Sequence, residues 1–116
     1  MGWVKFLGVA VFSYALLIAA ADAAQLVVVE IKSCGVCKRF NATVAPGYGA
    51  TAQGRKAPLK RVMIGGAIPA ALKGKVIRGT PTFILMDKGR EIGRFDGFSN
   101  KGAFYARLNG LLAKLP

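Results

Sequence analysis

Cys34 and Cys37 are the only cysteines of the chain, spaced as C-x-x-C within "IKSCGVCKRF", residues 31–40. Two sulfurs at this spacing suit three chemistries: a dithiol that exchanges with other disulfides, half of a metal site, or a local staple. Composition weighs between them. The chain has no histidine and no third cysteine, so no Cys-Cys-His or four-thiolate site can be completed within it, and a metal would have to be shared between molecules. The lack of histidine also removes Ser-His-Asp and Cys-His nucleophile pairs. A staple between residues three apart closes a small loop and stabilises little. Disulfide exchange is the chemistry the pair fits best, and it needs no cofactor and no metal.

Exchange requires a thiolate, and a free cysteine is mostly protonated at neutral pH. The sequence supplies two remedies. "QLVVVEI", residues 25–31, is a run of apolar and β-branched residues that reads as a strand buried on both faces. From Gly35 the period becomes helical, with Val36, Phe40 and Val44 as an apolar stripe and Ser33 as the expected N-cap. Cys34 is therefore expected at a helix N-terminus, where unpaired N–H groups favour an anion. Lys32, Lys38 and Arg39 add positive potential around it. On this reading Cys34 is the nucleophile, and Cys37, one turn on and under the helix start, is the resolving thiol.

The elements that must position the pair follow in order. Pro46 bends or ends the first helix, and the glycine-rich stretch after it reads as a loop or a second short helical piece. "PLKRVMIG", residues 58–65, is a strand candidate burying Leu59, Val62 and Ile64, and residues 67–75 suit one short helix. Thr82–Met86 and Glu91–Asp96 read as a hairpin turning at residues 87–89. Ser99 or Asn100 caps a last helix whose Phe104, Leu108, Leu111, Leu112 and Leu115 share one face. The expected fold is α/β, ordered β-α-β-(α)-β-β-α: a central mixed sheet with flanking helices and the dithiol at a strand-to-helix junction.

Residues 1–24 carry one early cation, Lys5, an apolar run from Phe6 to Ala21, and Ala21-Asp22-Ala23 as an A-x-A-like cleavage site. They read as a cleaved signal peptide, with an uncleaved anchor as the alternative, and residues 25–116 as one exported domain in a compartment where disulfides persist, such as a periplasm. The net charge of +12 suits an acidic protein partner, or is simply a solvated basic surface. The cations are scattered rather than set in a stripe with aromatics, which argues against nucleic acid.

"RGTPTFILMDKGREIGRFDG", residues 78–97, resembles the closing half of the thioredoxin fold. There an R-G-x-P-T segment carries a cis-proline facing the dithiol, with glycines eight and sixteen residues on; here these are Pro81, Gly89 and Gly97. The resemblance implies that Pro81 is cis and that Thr80 offers its backbone to a substrate strand. "CGVCKRFNATVAPGYGATAQGRKAPLKRV" is similar to the exported SoxS-type proteins of bacterial sulfur oxidation, through Phe40, Ala45-Pro46-x-Tyr48 and Gly54-Arg55-x-Ala57-Pro58. This implies a protein-disulfide reductase acting on a sulfur-carrier protein and re-reduced by a membrane thiol-electron transporter. Thioredoxins also bury an acid six residues before the first cysteine, where this chain has Val28. Glu30, on the same face by strand alternation, is then either a proton acceptor through water or an edge carboxylate paired with Lys32. Gly35-Val36, between the cysteines, tune the redox potential, so the direction of exchange is open: an oxidase or isomerase, or a non-catalytic redox latch, are the alternatives to reduction.

Overall fold

The computed structural model describes residues 23–65, 72 and 74–116. Nearly all of the expected signal peptide, residues 1–22 of 1–24, and most of the helix expected over 67–75 lie outside the described residues. Strand β1 (Gln25–Glu30) leads to helix α1 (Gly35–Thr43), two short helices α2 (Ala45–Tyr48) and α3 (Ala52–Lys56), and strand β2 (Leu59–Met63). Strands β3 (Thr82–Asp87) and β4 (Arg90–Asp96) form the expected hairpin, and helix α4 (Lys101–Leu112) closes the domain. The sheet runs β2-β1-β3-β4. β1 pairs parallel with β2 and antiparallel with β3, which pairs antiparallel with β4. This is the expected mixed sheet.

The apolar run of β1 is explained by its place between two other strands. Leu26 and Val28 face one layer, Val27 and Val29 the other, and all four are buried. Over the first face α1, α2 and α4 bring Phe40, Val44, Tyr48, Phe104 and Leu108 onto Phe83, Leu85 and Phe95. Phe104 lies 5.2 Å from Phe40 and 5.1 Å from Phe83, centroid to centroid, so aromatic edges and faces fill the centre of this layer. Tyr48 belongs here because its hydroxyl donates to Ala57 O at 2.7 Å. Burial raises its phenol pKa, and Tyr105 adds to the effect. The second face is smaller: Val62, Ile84 and Met86 under Leu72, with Ile77 at its edge.

Three expectations are corrected in detail. Val36 is exposed, so the buried stripe of α1 starts at Cys37 and Phe40 and runs on to Val44. Ile64 lies just past β2 and is also exposed. The N-cap of α1 is Cys34, not Ser33: its Sγ accepts from the Cys37 N–H at 3.0 Å. At the hairpin, Lys88 (φ 52°) and Gly89 (φ 77°) are both left-handed, as a two-residue turn matching the strand twist requires. Asn100, one of the two expected caps, accepts from Ala103 N at 2.9 Å.

A charged cluster crosses the outer part of the second face. Arg94 Nε and Nη2 reach the two Glu91 oxygens at 2.8 and 2.7 Å, and Lys75 Nζ lies 3.1 Å from Glu91 Oε1. The hydrogen bond from Arg94, opposed by burial and aided to a lesser extent by the one from Lys75, lowers the Glu91 pKa from 4.5 to about 2. A lowered folded-state pKa means stabilisation fully present above the unfolded value and lost as pH falls toward the folded one. Solvent reaches the cluster, and screening holds its worth to about 1 kcal/mol. The stability gap between wild type and Glu91→Gln, measured by urea titration, is therefore expected to close by about 1 kcal/mol as pH falls from about 5 to about 2. A gap equal at both ends would show that the charge of Glu91 contributes nothing.

Candidate active site

The strand-to-helix junction forms because β1 ends at Glu30 and the chain turns through Ile31–Ser33, where Cys34 N donates to Ile31 O at 3.3 Å. Cys34 then caps α1, so its sulfur sits among the first free N–H groups of the helix, where negative charge is favoured. Cys34 and Cys37 form a disulfide with Cα atoms 5.2 Å apart. Cys34 is 8% exposed and Cys37 2%. Cys34 is the more accessible residue of the pair.

The opposite wall is the segment entering β3. The Thr80-Pro81 bond is cis, and Cys34 Sγ lies 3.6 Å from Thr80 O. Pro81 O accepts from Gly97 N at 2.8 Å, and Gly97 has φ 79°, a conformation that disfavours any side chain. The two glycines picked out by spacing therefore have separate jobs: Gly89 turns the hairpin, and Gly97 brings the end of β4 back to Pro81.

The flanking cations behave differently from one another. Lys32 and Lys38 are exposed beside the junction. Arg39 is exposed too, but its guanidinium donates to Phe98 O at 2.7 Å and lies 5.6 Å from the Phe98 ring centroid, which ties α1 to the loop before α4. All five exposed large hydrophobic side chains among the described residues are Ile31, Val36, Met63, Ile64 and Val76. They follow the ends of β1 and β2, open α1, or precede Pro81. Ile31, Val36, Met63 and Ile64 lie at the dithiol end of the sheet, where β1 and its parallel partner β2 both finish.

Glu30 is not an edge carboxylate paired with Lys32. It is 3% exposed, on the sheet face covered by α1, and accepts a hydrogen bond from Asn41 Nδ2. Burial follows from the helix: Asn41 stands one turn beyond Cys37, on the same side of α1, and closes over the end of β1. Asn41 Oδ1 is itself buried with no partner among the described residues. Sequence reasoning missed Asn41. Its i+4 spacing from Cys37 was the available signal.

A dithiol capping a helix, faced by a cis-proline and backed by a buried carboxylate on a β-α-β-β-β-α scaffold, defines a thiol-disulfide oxidoreductase of the thioredoxin type. No protein-family model and no curated protein matches the chain. Among solved structures, the periplasmic thioredoxin SoxS of Paracoccus pantotrophus, in its reduced form, is 33% identical, with TM-score 0.73 over 78% of this chain and 97% of that one. The chain belongs to the thioredoxin family, and within it is similar to SoxS. Trxlp of Edwardsiella tarda is 29% identical, with TM-score 0.61 over 85% of this chain and 91% of its own. A Thermus thermophilus thioredoxin, 22% identical with TM-score 0.64 over 89% and 85%, shares the fold.

Proposed function

We propose that the protein is a periplasmic protein-disulfide reductase of the SoxS type. The observation that carries this reading is Cys34 as the N-cap of α1, its sulfur accepting from Cys37 N and 3.6 Å from Thr80 O. In the reduced protein the Cys34 thiolate, favoured by the helix terminus and by Lys32 and Lys38, attacks one sulfur of a substrate disulfide. A mixed disulfide forms, and the other substrate sulfur leaves as a thiolate. Cys37 then attacks Cys34 Sγ, the Cys34–Cys37 bond forms, and the second substrate sulfur is released. Two electrons have passed to the substrate. Thr80 and Pro81 hold the substrate chain across the dithiol, and Glu30, buried under Asn41 at the end of β1, is the proton acceptor for Cys37.

The substrate class is an acidic protein carrying a disulfide or a thiol adduct, which the charge of +12 would steer inward. Similarity to SoxS supports a sulfur-carrier protein of thiosulfate oxidation as that substrate, a membrane thiol-electron transporter as the reductant, and export through residues 1–24. Equilibration with glutathione tests the direction: a potential well below that of glutathione is expected, and one near the strong periplasmic oxidants, about −120 mV, would sink the reductase assignment. Glu30→Gln, which keeps size and hydrogen bonding, is expected to slow resolution of a pre-formed mixed disulfide by about 100-fold. An unchanged rate would remove Glu30 from the mechanism.

A further inference from the structure

The segment that brings Thr80 and Pro81 to Cys34 approaches from outside the sheet. Between Lys75 and Gly79 it makes no strand pairing among the described residues. It stands away from β4 across a cavity of about 490 Å³ bordered by Val76, Arg78, Glu91, Arg94, Phe95 and Asp96. Apart from Ile77, which packs at the edge of the second face, packing does not span this gap. Side chains do: Arg94 Nη1 donates to Val76 O at 2.7 Å, Lys75 Nζ lies 3.1 Å from Glu91 Oε1, and Arg94 grips both Glu91 oxygens. Further along, Thr82 Oγ1 bonds Gly79 O, and Gly97 N bonds Pro81 O. The segment is thus held at both ends, by polar groups of β4 at the first and by the start of β3 and the end of β4 at the second.

Glu91 and Arg94 are three residues apart on a strand, where strict alternation would send them to opposite faces. Register explains why they meet. Arg94 pairs with Ile84 and Gly93 with Leu85, but Glu91, not Ile92, pairs with Met86. Ile92 is an extra residue, a β-bulge, and past it the alternation reverses. Ile84 and Met86 both belong to the second face, so their partners Arg94 and Glu91 lie there too, beside the loop.

We propose that the Ile92 bulge, Glu91 and Arg94 are positioning elements of the active site: they clamp residues 75–79 so that Thr80 and Pro81 stand at the right height over Cys34 to receive a polypeptide. The clamp touches neither sulfur. It therefore governs the capture of a protein disulfide, which needs the Thr80 backbone, and leaves the attack on a small disulfide unaffected. This rests on the reductase reading of the site.

The test uses Arg94→Met, which keeps the side-chain stem but removes all three hydrogen bonds, and Glu91→Gln. Three quantities are measured for each and for wild type: kcat and KM on insulin, the rate with the small disulfide dithionitrobenzoate, and hydrogen exchange at residues 76–80. For Arg94→Met, the KM for insulin is expected to rise about tenfold with kcat little changed, while the small-disulfide rate stays within about twofold. Exchange at residues 76–80 is expected to quicken by about tenfold, with the amides of β1 unchanged. Glu91→Gln is expected to move the same quantities in the same direction by less, since Arg94 keeps Val76. Equal losses on both disulfides would make Arg94 a general stabiliser and overturn the proposal. So would unchanged exchange at residues 76–80. A wild type inert on both disulfides would overturn the reductase reading instead, and exchange alone would then decide whether the clamp exists.

Discussion

Replacing Cys34 with serine is expected to reduce insulin turnover to background, a loss of roughly 10³-fold or more, because a hydroxyl at neutral pH offers almost no anion to attack sulfur. Replacing Cys37 with serine is expected to do something different. The attack by Cys34 survives, but nothing resolves the adduct, so one equivalent of partner accumulates as a mixed disulfide that reductant releases. The asymmetry follows from geometry. Cys34 is the more exposed residue, caps α1 and lies beside Thr80 O, whereas Cys37 is buried within α1. Turnover by Cys34→Ser would refute the nucleophile assignment, and a partner trapped by Cys34→Ser rather than by Cys37→Ser would reverse the two roles. The captured protein would also identify the substrate, with an acidic surface expected.

Phe40→Ala is expected to cost about 3–5 kcal/mol, the range for emptying a buried aromatic site. A domain of this size has about 5–15 kcal/mol in total, so the variant would be marginal. Phe40 is fully buried, 4.8 Å from Phe83, 5.2 Å from Phe104 and 5.6 Å from Phe98 by ring centroids. It joins the second turn of α1 to β3, α4 and the loop between β4 and α4. The loss would appear as a lower urea midpoint at unchanged slope. Val36→Ala supplies the contrast: this residue belongs to the same sequence stripe but is 37% exposed, and its loss is expected to stay within about 0.5 kcal/mol. A Phe40→Ala cost below about 1 kcal/mol would mean that the aromatic cluster collapses around the gap.

Those two side chains show how far pattern reading reaches. Val36, Phe40 and Val44 recur at helical spacing, and the helix is there, but the period alone does not say where its buried arc begins. That depends on where the sheet lies under α1, and it excludes Val36. The hairpin was more legible. Lys88 and Gly89 turn where the sequence breaks between two apolar runs, because a two-residue turn is a local matter of backbone sterics. Asn100 at the start of α4 was legible for the same reason: a cap and its N–H partner are three residues apart.

By itself, then, the sequence determined the chemistry and the order of elements. Two cysteines without histidine favour sulfur exchange over a metal site, and an apolar run followed by a helical period places them at a strand-to-helix junction. Tertiary structure decided everything that depends on contacts between distant segments. Glu30 became a buried acid because Asn41 closes over it from α1. Arg39 turned to Phe98 because the loop before α4 lies within its reach. Glu91 and Arg94 came to face the loop before Pro81 because one extra residue, Ile92, shifts the β3–β4 register. Alternation along a strand is written in its own residues, but a bulge is a property of the pairing, and pairing exists only once the chain has folded.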